Sequence, residues 1–179
     1  MIRIYIDSDS LPQQHRAIVL RRIIKNGYHA WFAADRKLSD VEKAIEEDKR
    51  IRRSAFRDTL TREEARKIGS GIHMVVVESG SNAADDALVE LAESPALAIT
   101  HDIPLAARLL EKDLIVIDDR GNTLTKERIR ERLSERENNA LFREMGLFDN
   151  KSKHFDEKTI RAFSAAFDRA LSILEKLDF

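Results

Sequence analysis

Two aspartates, Asp7 and Asp9, follow directly on an apolar run in the stretch IYIDSDS, residues 4–10. Carboxylates one residue apart repel each other unless a cation, an arginine or solvent lies between them, so the pair marks either an exposed edge or half of a site. Comparable acids recur as Asp85 and Asp86 in SNAADDALVELA and as Asp102 in ALAITHDIPLAA. If these converge, they need counter-charge, and oxygen-only ligation favours a hard divalent cation, Mg2+ or Mn2+. Plainer roles stand beside this one: Asp85 and Asp86 would suit a helix N-terminus through its dipole, and Asp102 would cap the helix that Pro104 opens. His101 adjoins Asp102, but strand alternation turns it to the opposite face and favours a structural role. His15, His29, His73 and His154 show no ligand spacing.

With 31 basic and 32 acidic residues the formal charge is -1, which leaves no global positive field to gather nucleic acid. Such binding must rest on local patches. The candidates are Arg21, Arg22 and Lys25, the run KRIRR from Lys49 to Arg53, and Arg120 with Lys126 and Arg128. The absence of cysteine excludes disulfides, thiolate zinc sites and thiol nucleophiles, and is compatible with a reducing compartment. No apolar stretch is long enough to span a bilayer, and no signal-type apolar core opens the chain, so a soluble, cytoplasmic protein is expected. At 179 residues a single domain is expected.

Positioning these residues falls to short strands expected at Arg3 to Ile6, His29 to Ala33, His73 to Val77, Leu97 to Thr100 and Leu114 to Ile117. Stretches of helical period lie between them: Pro12 to Lys25 with Gly27 as its stop, Asn82 to Glu93, and Pro104 to Glu111. Nearly continuous apolar strands separated by helices predict an α/β fold with an open, mainly parallel five-stranded sheet covered on both faces. In such sheets functional groups gather beyond the carboxyl ends of the strands, which is where the acids fall. The segment from about 36 to 70 reads as a charged, peripheral helical insertion with capping-box spacing at Ser39 to Glu42 and Thr61 to Glu64. Beyond Asp119 the chain reads as helical, over about 125–178, with a charged helix from Thr125 to Glu144. Asp156 is expected to cap a last helix whose stripe of Ile160, Phe163, Phe167, Leu171 and Leu174 packs on the sheet.

Four phrases, IDSDSLP, SNAADDALVELA, ITHDIPLAARLLEK and DRGNTLTKERIRERLSER, together resemble the UPF0178 family, also called YaiI/YqxD or DUF188 and grouped with the PIN-like nuclease domains. The resemblance covers nearly the whole chain except about 36–70, where it implies a much shorter loop. It implies a PIN-like fold and places Asp7, Asp9, Asp85 and Asp102 at the acidic positions, with Asp86 behind them. The chain departs from the family in having Asp9, Ser10, Leu11 and Pro12 where aspartate, alanine, cysteine and proline are common, and Asn82 where aspartate is frequent. By analogy, the chemistry is hydrolysis of phosphodiester bonds, with single-stranded RNA as the expected partner. The carboxylates would hold Mg2+ or Mn2+, which activates water and offsets phosphate charge. Ser8, Ser10 and Thr100 would orient water or a phosphate oxygen, although hydroxyls at strand ends commonly bond the backbone instead.

Two other classes compete. A HAD-like phosphatase would use Asp7 as nucleophile and Asp9 as acid/base, with the threonine of ITHD, Lys112 and the acidic pair Asp118 and Asp119 completing its site. It ranks lower, because Ser10 stands where that family places threonine or valine. A non-catalytic PIN-like module binding RNA or protein is the other reading, favoured by the charged insertion.

Overall fold

Arg3–Asp7 form β1, the strand on which the site depends. Ile4 and Ile6 bury on one face and Tyr5 on the other, so the strand must lie inside a sheet covered on both sides. A computed structural model of the chain describes residues 1–56, 58–77, 82–132 and 156–177. In chain order β1 is followed by α1 (Gln13–Asn26), β2 (His29–Ala34), α2 (Ser39–Ser54), α3 (Arg62–Lys67) and β3 (Ile72–Val76). Then come α4 (Ala83–Leu91), β4 (Leu97–Ile99), α5 (Ile103–Glu111), β5 (Ile115–Ile117) and β6 (Thr123–Leu124). The described part of a helix, α6, occupies 126–132, and α7 spans Glu157–Leu177.

The sheet order is β3-β2-β1-β4-β5-β6. The first five of these strands run parallel, and β6 is a short antiparallel addition on β5. The expected five-stranded sheet is therefore present with a sixth strand beside it; two residues are too few for a strand pattern to show in sequence. From β1 the chain winds one way to β2 and β3 and then returns to place β4 on the other side. The β1/β4 boundary is thus the point where strand order reverses.

One face is closed by α1, α2 and α7, which bury Val19, Ile23, Val41, Ala44, Phe163 and Phe167 against Ile4, Ile6 and Phe32. The other is closed by α4 and α5 through Leu88, Leu105 and Leu109 against Tyr5, Ala98 and Val116. The α7 stripe packs as its spacing predicts, and Asp156 caps that helix by accepting from the Thr159 N–H at 2.8 Å. Gly121, at φ 81°, faces the α7 backbone so closely that a Cβ would collide with the Ala162 carbonyl. The loop after β5 is held there against the helix.

Within 36–70 the helices α2 and α3 form, but α2 is not peripheral. It is the crossover from β2 to β3, with Val41 and Ala44 in the core and Asp48 almost wholly buried. Its charge belongs to the outward face, while the inward stripe is too sparse to outweigh it in composition. The Thr61–Glu64 capping box forms. The Ser39–Glu42 box does not, because Leu38 is the N-cap and Ser39 lies inside the first turn. The charged helix expected from Thr125 to Glu144 is described only to residue 132; the rest of it, with His154, lies outside the described residues. Among the described residues no helix is long and apolar enough to cross a membrane.

Candidate active site

Asp7 ends β1 on the α4/α5 face and is only 7% exposed. Its Oδ2 accepts from the Thr100 hydroxyl at 2.7 Å, and its Oδ1 accepts from the Ser10 N–H at 3.3 Å. The Thr100 Oγ1 in turn accepts from the Asp102 N–H at 3.0 Å, so one buried hydroxyl links the ends of β1 and β4. Asp102 caps α5 by accepting from the Leu105 N–H at 2.9 Å. Capping leaves its second oxygen available, so the structural and functional roles are compatible.

Asp85 comes in from the first turn of α4. Its pKa is pushed up to about 6, first by burial and then by the charges of Asp7 and Asp102, with Arg108 working in the opposite direction. Acids from three separate connections therefore act on one another at the β1/β4 boundary. The folded protein holds the Asp85 proton more tightly than the unfolded chain does between the ordinary carboxylate range and about pH 6. Metal-free stability consequently falls as pH rises through that interval. Asp85→Asn is expected to abolish this decline and to stabilise the metal-free protein at pH 7.5 by about 1–2 kcal/mol, after discounting for solvent screening. Urea denaturation in EDTA at pH 5 and pH 7.5 measures both effects.

Asp9 does not join this group. The turn after Asp7 carries it outward, where its Oδ2 accepts from the Asp35 N–H beyond β2 at 3.2 Å. Asp86 is occupied by an ion pair with Arg108 at 2.7 Å. Ser10 acts as a fastener: its hydroxyl donates to the Asp7 carbonyl at 3.2 Å, and its own carbonyl lies 3.1 Å from His101 Nδ1. The Ser8 hydroxyl is buried with no hydrogen-bond partner among the described residues.

Several contributors were not legible in the sequence. Arg16, buried on α1, pairs with Asp40 at 2.7 Å and donates to the Leu11 carbonyl at 3.0 Å, fixing the loop that follows Asp7. His101 lies 3.7 Å from Asp119. The nearby Asp119 carboxylate raises its pKa and outweighs the opposing effect of burial. Arginines and acids spaced like these occur throughout the chain, and only the fold selects these pairs.

The cations expected to meet nucleic acid are scattered. Arg21, Arg22 and Lys25 lie toward the far end of α1, away from the acids, and Arg22 pairs with Asp168 at 2.6 Å. In the KRIRR run Lys49 pairs with Glu46 and Arg52 with Asp48, while Arg53 binds the Ile68 carbonyl. Arg120 follows β5, at the carboxyl rim. Lys126 and Arg128 lie on α6, where Arg128 donates to the Thr123 carbonyl at 3.0 Å.

The phosphatase reading loses its lysine. Lys112, at the distal end of α5, donates to the Val89 and Ala92 carbonyls instead of approaching Asp7. Asp118 is consumed by its own loop, accepting from the Arg120 and Asn122 N–H groups and pairing with Arg132.

Among the described residues, no group of three or more His, Cys, Asp or Glu side chains is placed so that it could hold a metal ion. The donor chemistry nevertheless suits a hard cation. Asp7, Asp85 and Asp102 offer oxygen alone, and their mutual repulsion calls for positive charge.

Comparison with known proteins gives a consistent outcome. The model of the uncharacterized YaiI/YqxD family, DUF188, matches residues 58–173. A UPF0178 protein of Pseudomonas aeruginosa (strain LESB58) is 30% identical over 98% of this chain and 93% of its own length. A UPF0178 protein of Myxococcus xanthus (strain DK1622) is 30% identical over 99% of each chain. No solved structure matches. With the family model covering most of the chain and relatives aligned from end to end, the chain belongs to the UPF0178 (YaiI/YqxD, DUF188) family.

Proposed function

We propose that this chain is a divalent-metal-dependent nuclease of the PIN-like type that hydrolyses phosphodiester bonds in single-stranded RNA. The observation carrying this reading is the convergence of Asp7, Asp85 and Asp102 at the β1/β4 boundary, where burial first and then the charges of Asp7 and Asp102 raise the Asp85 pKa to about 6. Such a cluster costs the empty fold stability, and perturbed acids in a crevice at the strand ends are the signature of a functional site.

Asp7, Asp85 and Asp102 would hold Mg2+ or Mn2+. When bound, the ion lowers the pKa of a water molecule and offsets charge on the phosphate. Thr100 fixes the Asp7 carboxylate so that one oxygen is always oriented by a buried donor. Ser10 and Arg16 hold the loop behind it, and Arg120 at the same rim attracts the phosphate backbone. Asp9 stays outside the set as an outward carboxylate on the β2 side. An RNA substrate and a cysteine-free chain suit action in the cytoplasm.

The test is incubation of the purified chain with end-labelled single-stranded RNA in Mn2+ and in EDTA. Slow cleavage in Mn2+ that disappears in EDTA is expected. Cleavage indifferent to EDTA would sink the metal-dependent mechanism.

A further inference from the structure

Tyr5, Trp31 and His73 occupy one register row across β1, β2 and β3. Their rings stand on the sheet as a continuous stack: Tyr5 and Trp31 are 5.0 Å apart at 18°, and Trp31 and His73 are 5.0 Å apart at 19°. His29 flanks the row, 6.1 Å from His73 and tilted by 37°. Tyr5 is buried at the inner end, and both faces of Trp31 are covered by its neighbours. His73 ends the row half-buried, on a strand that closes the sheet with no further strand beyond it among the described residues. Among the described residues no strand and no parallel ring continues the stack beyond His73. The next row toward the carboxyl ends is Asp7, Ala33 and Val75, so the stack terminates one pleat behind Asp7 and, at ~4.8 Å per strand, about 10 Å to its side.

We propose that the outer face of His73 is a stacking site for an unpaired nucleobase, one that seats the strand whose phosphodiester lies at Asp7. This rests on the nuclease reading for its substrate class and adds where a base is gripped. The chemistry favours a flat aromatic ring over other occupants, because it continues the spacing and near-parallel orientation of the row. Stacking needs no sequence-specific contact, since every base presents a π-face. Burial keeps both His29 and His73 uncharged at neutral pH, assisted by the nearby Arg52. The imidazole thus contributes a neutral face rather than a phosphate-binding cation.

The experiment uses the full chain in EDTA, where hydrolysis is prevented, titrated with a short oligoadenylate and with an abasic ribose-phosphate chain of the same length. Trp31 is the single tryptophan and directly stacks on His73, so its fluorescence reports an occupied stack. The oligoadenylate is expected to bind about tenfold more tightly than the abasic chain. His73→Ala should erase that preference, and His73→Phe should keep it. Because the readout is a ratio of two ligands on one protein, a partial loss of fold that weakens both alike does not imitate the result. An abasic chain that binds as well as the adenylate, or a preference that survives His73→Ala, overturns the site. Base preference that persists in a wild-type chain unable to cut RNA in Mn2+ overturns the nuclease reading while supporting the site.

Discussion

Asp7→Asn is expected to lower the rate of Mn2+-dependent RNA cleavage at least about 100-fold, since loss of even the outer partners of a metal ligand costs 10- to 100-fold. The substitution preserves shape and removes charge, which isolates the electrostatic role. It also reverses local hydrogen bonding. Asp7 accepts on both oxygens, from the Thr100 hydroxyl and from the Ser10 N–H. An amide keeps both partners only by reversing one bond: with its oxygen on the Ser10 N–H, its NH2 group donates to the Thr100 hydroxyl, which must then send its own proton elsewhere. The folded protein should nevertheless persist without metal, since removing the Asp7 charge relieves Asp85. Single-turnover cleavage separates the chemical step from binding. A variant that binds RNA as before but cuts it slowly supports the assignment, and a variant with wild-type cleavage excludes Asp7 from the site.

Asp48→Ala should lose about 3–5 kcal/mol of stability, although the residue lies far from the candidate site. Asp48 is 1% exposed, and its Oδ2 accepts from the Ser70 hydroxyl at 2.7 Å, the Gly71 N–H at 2.8 Å and Arg52 Nε at 2.8 Å. Arg52 continues the network to the Gly27 carbonyl at 3.0 Å, joining the end of α1 to the start of β3. Truncation leaves an arginine and a backbone donor without their acceptor inside the fold, and the penalty is their desolvation. Gly71 tightens the arrangement, because a Cβ there would strike Arg52. Urea unfolding of Asp48→Ala beside Arg52→Ala and the double substitution measures the coupling. Single losses that add without interaction would show the network to be incidental.

The strands, and the placement of Asp7 and Asp102 at strand ends, were legible because their signals are local. An apolar run ending at Asp7, and a threonine and an aspartate following another run, define strand ends without knowledge of partners. Long-range choices were less legible. Asp48 shares α2 with Glu42, Glu46 and Glu47, and nothing in its spacing distinguishes the acid that turns inward. A helix whose buried face is small and whose remainder is charged looks peripheral, so α2 was hidden as a crossover. Asp9 resembled Asp7 by spacing, yet the turn between them sends the two carboxylates to different neighbours. His101 was read by strand alternation, although β4 ends at Ile99 and alternation no longer applies.

The central position of β1 also bears on the order of events during synthesis. β1 precedes the other strands in the chain and lies in the middle of the sheet, yet Ile4 pairs with Ala30 on one side and with Leu97 on the other. Until the ribosome has delivered β4, a nascent β1–β2–β3 unit presents one side of an apolar strand with its peptide groups unpaired. Such an edge invites pairing with another chain. Translation speed between β3 and β4 thus sets how long the growing polypeptide remains vulnerable to aggregation.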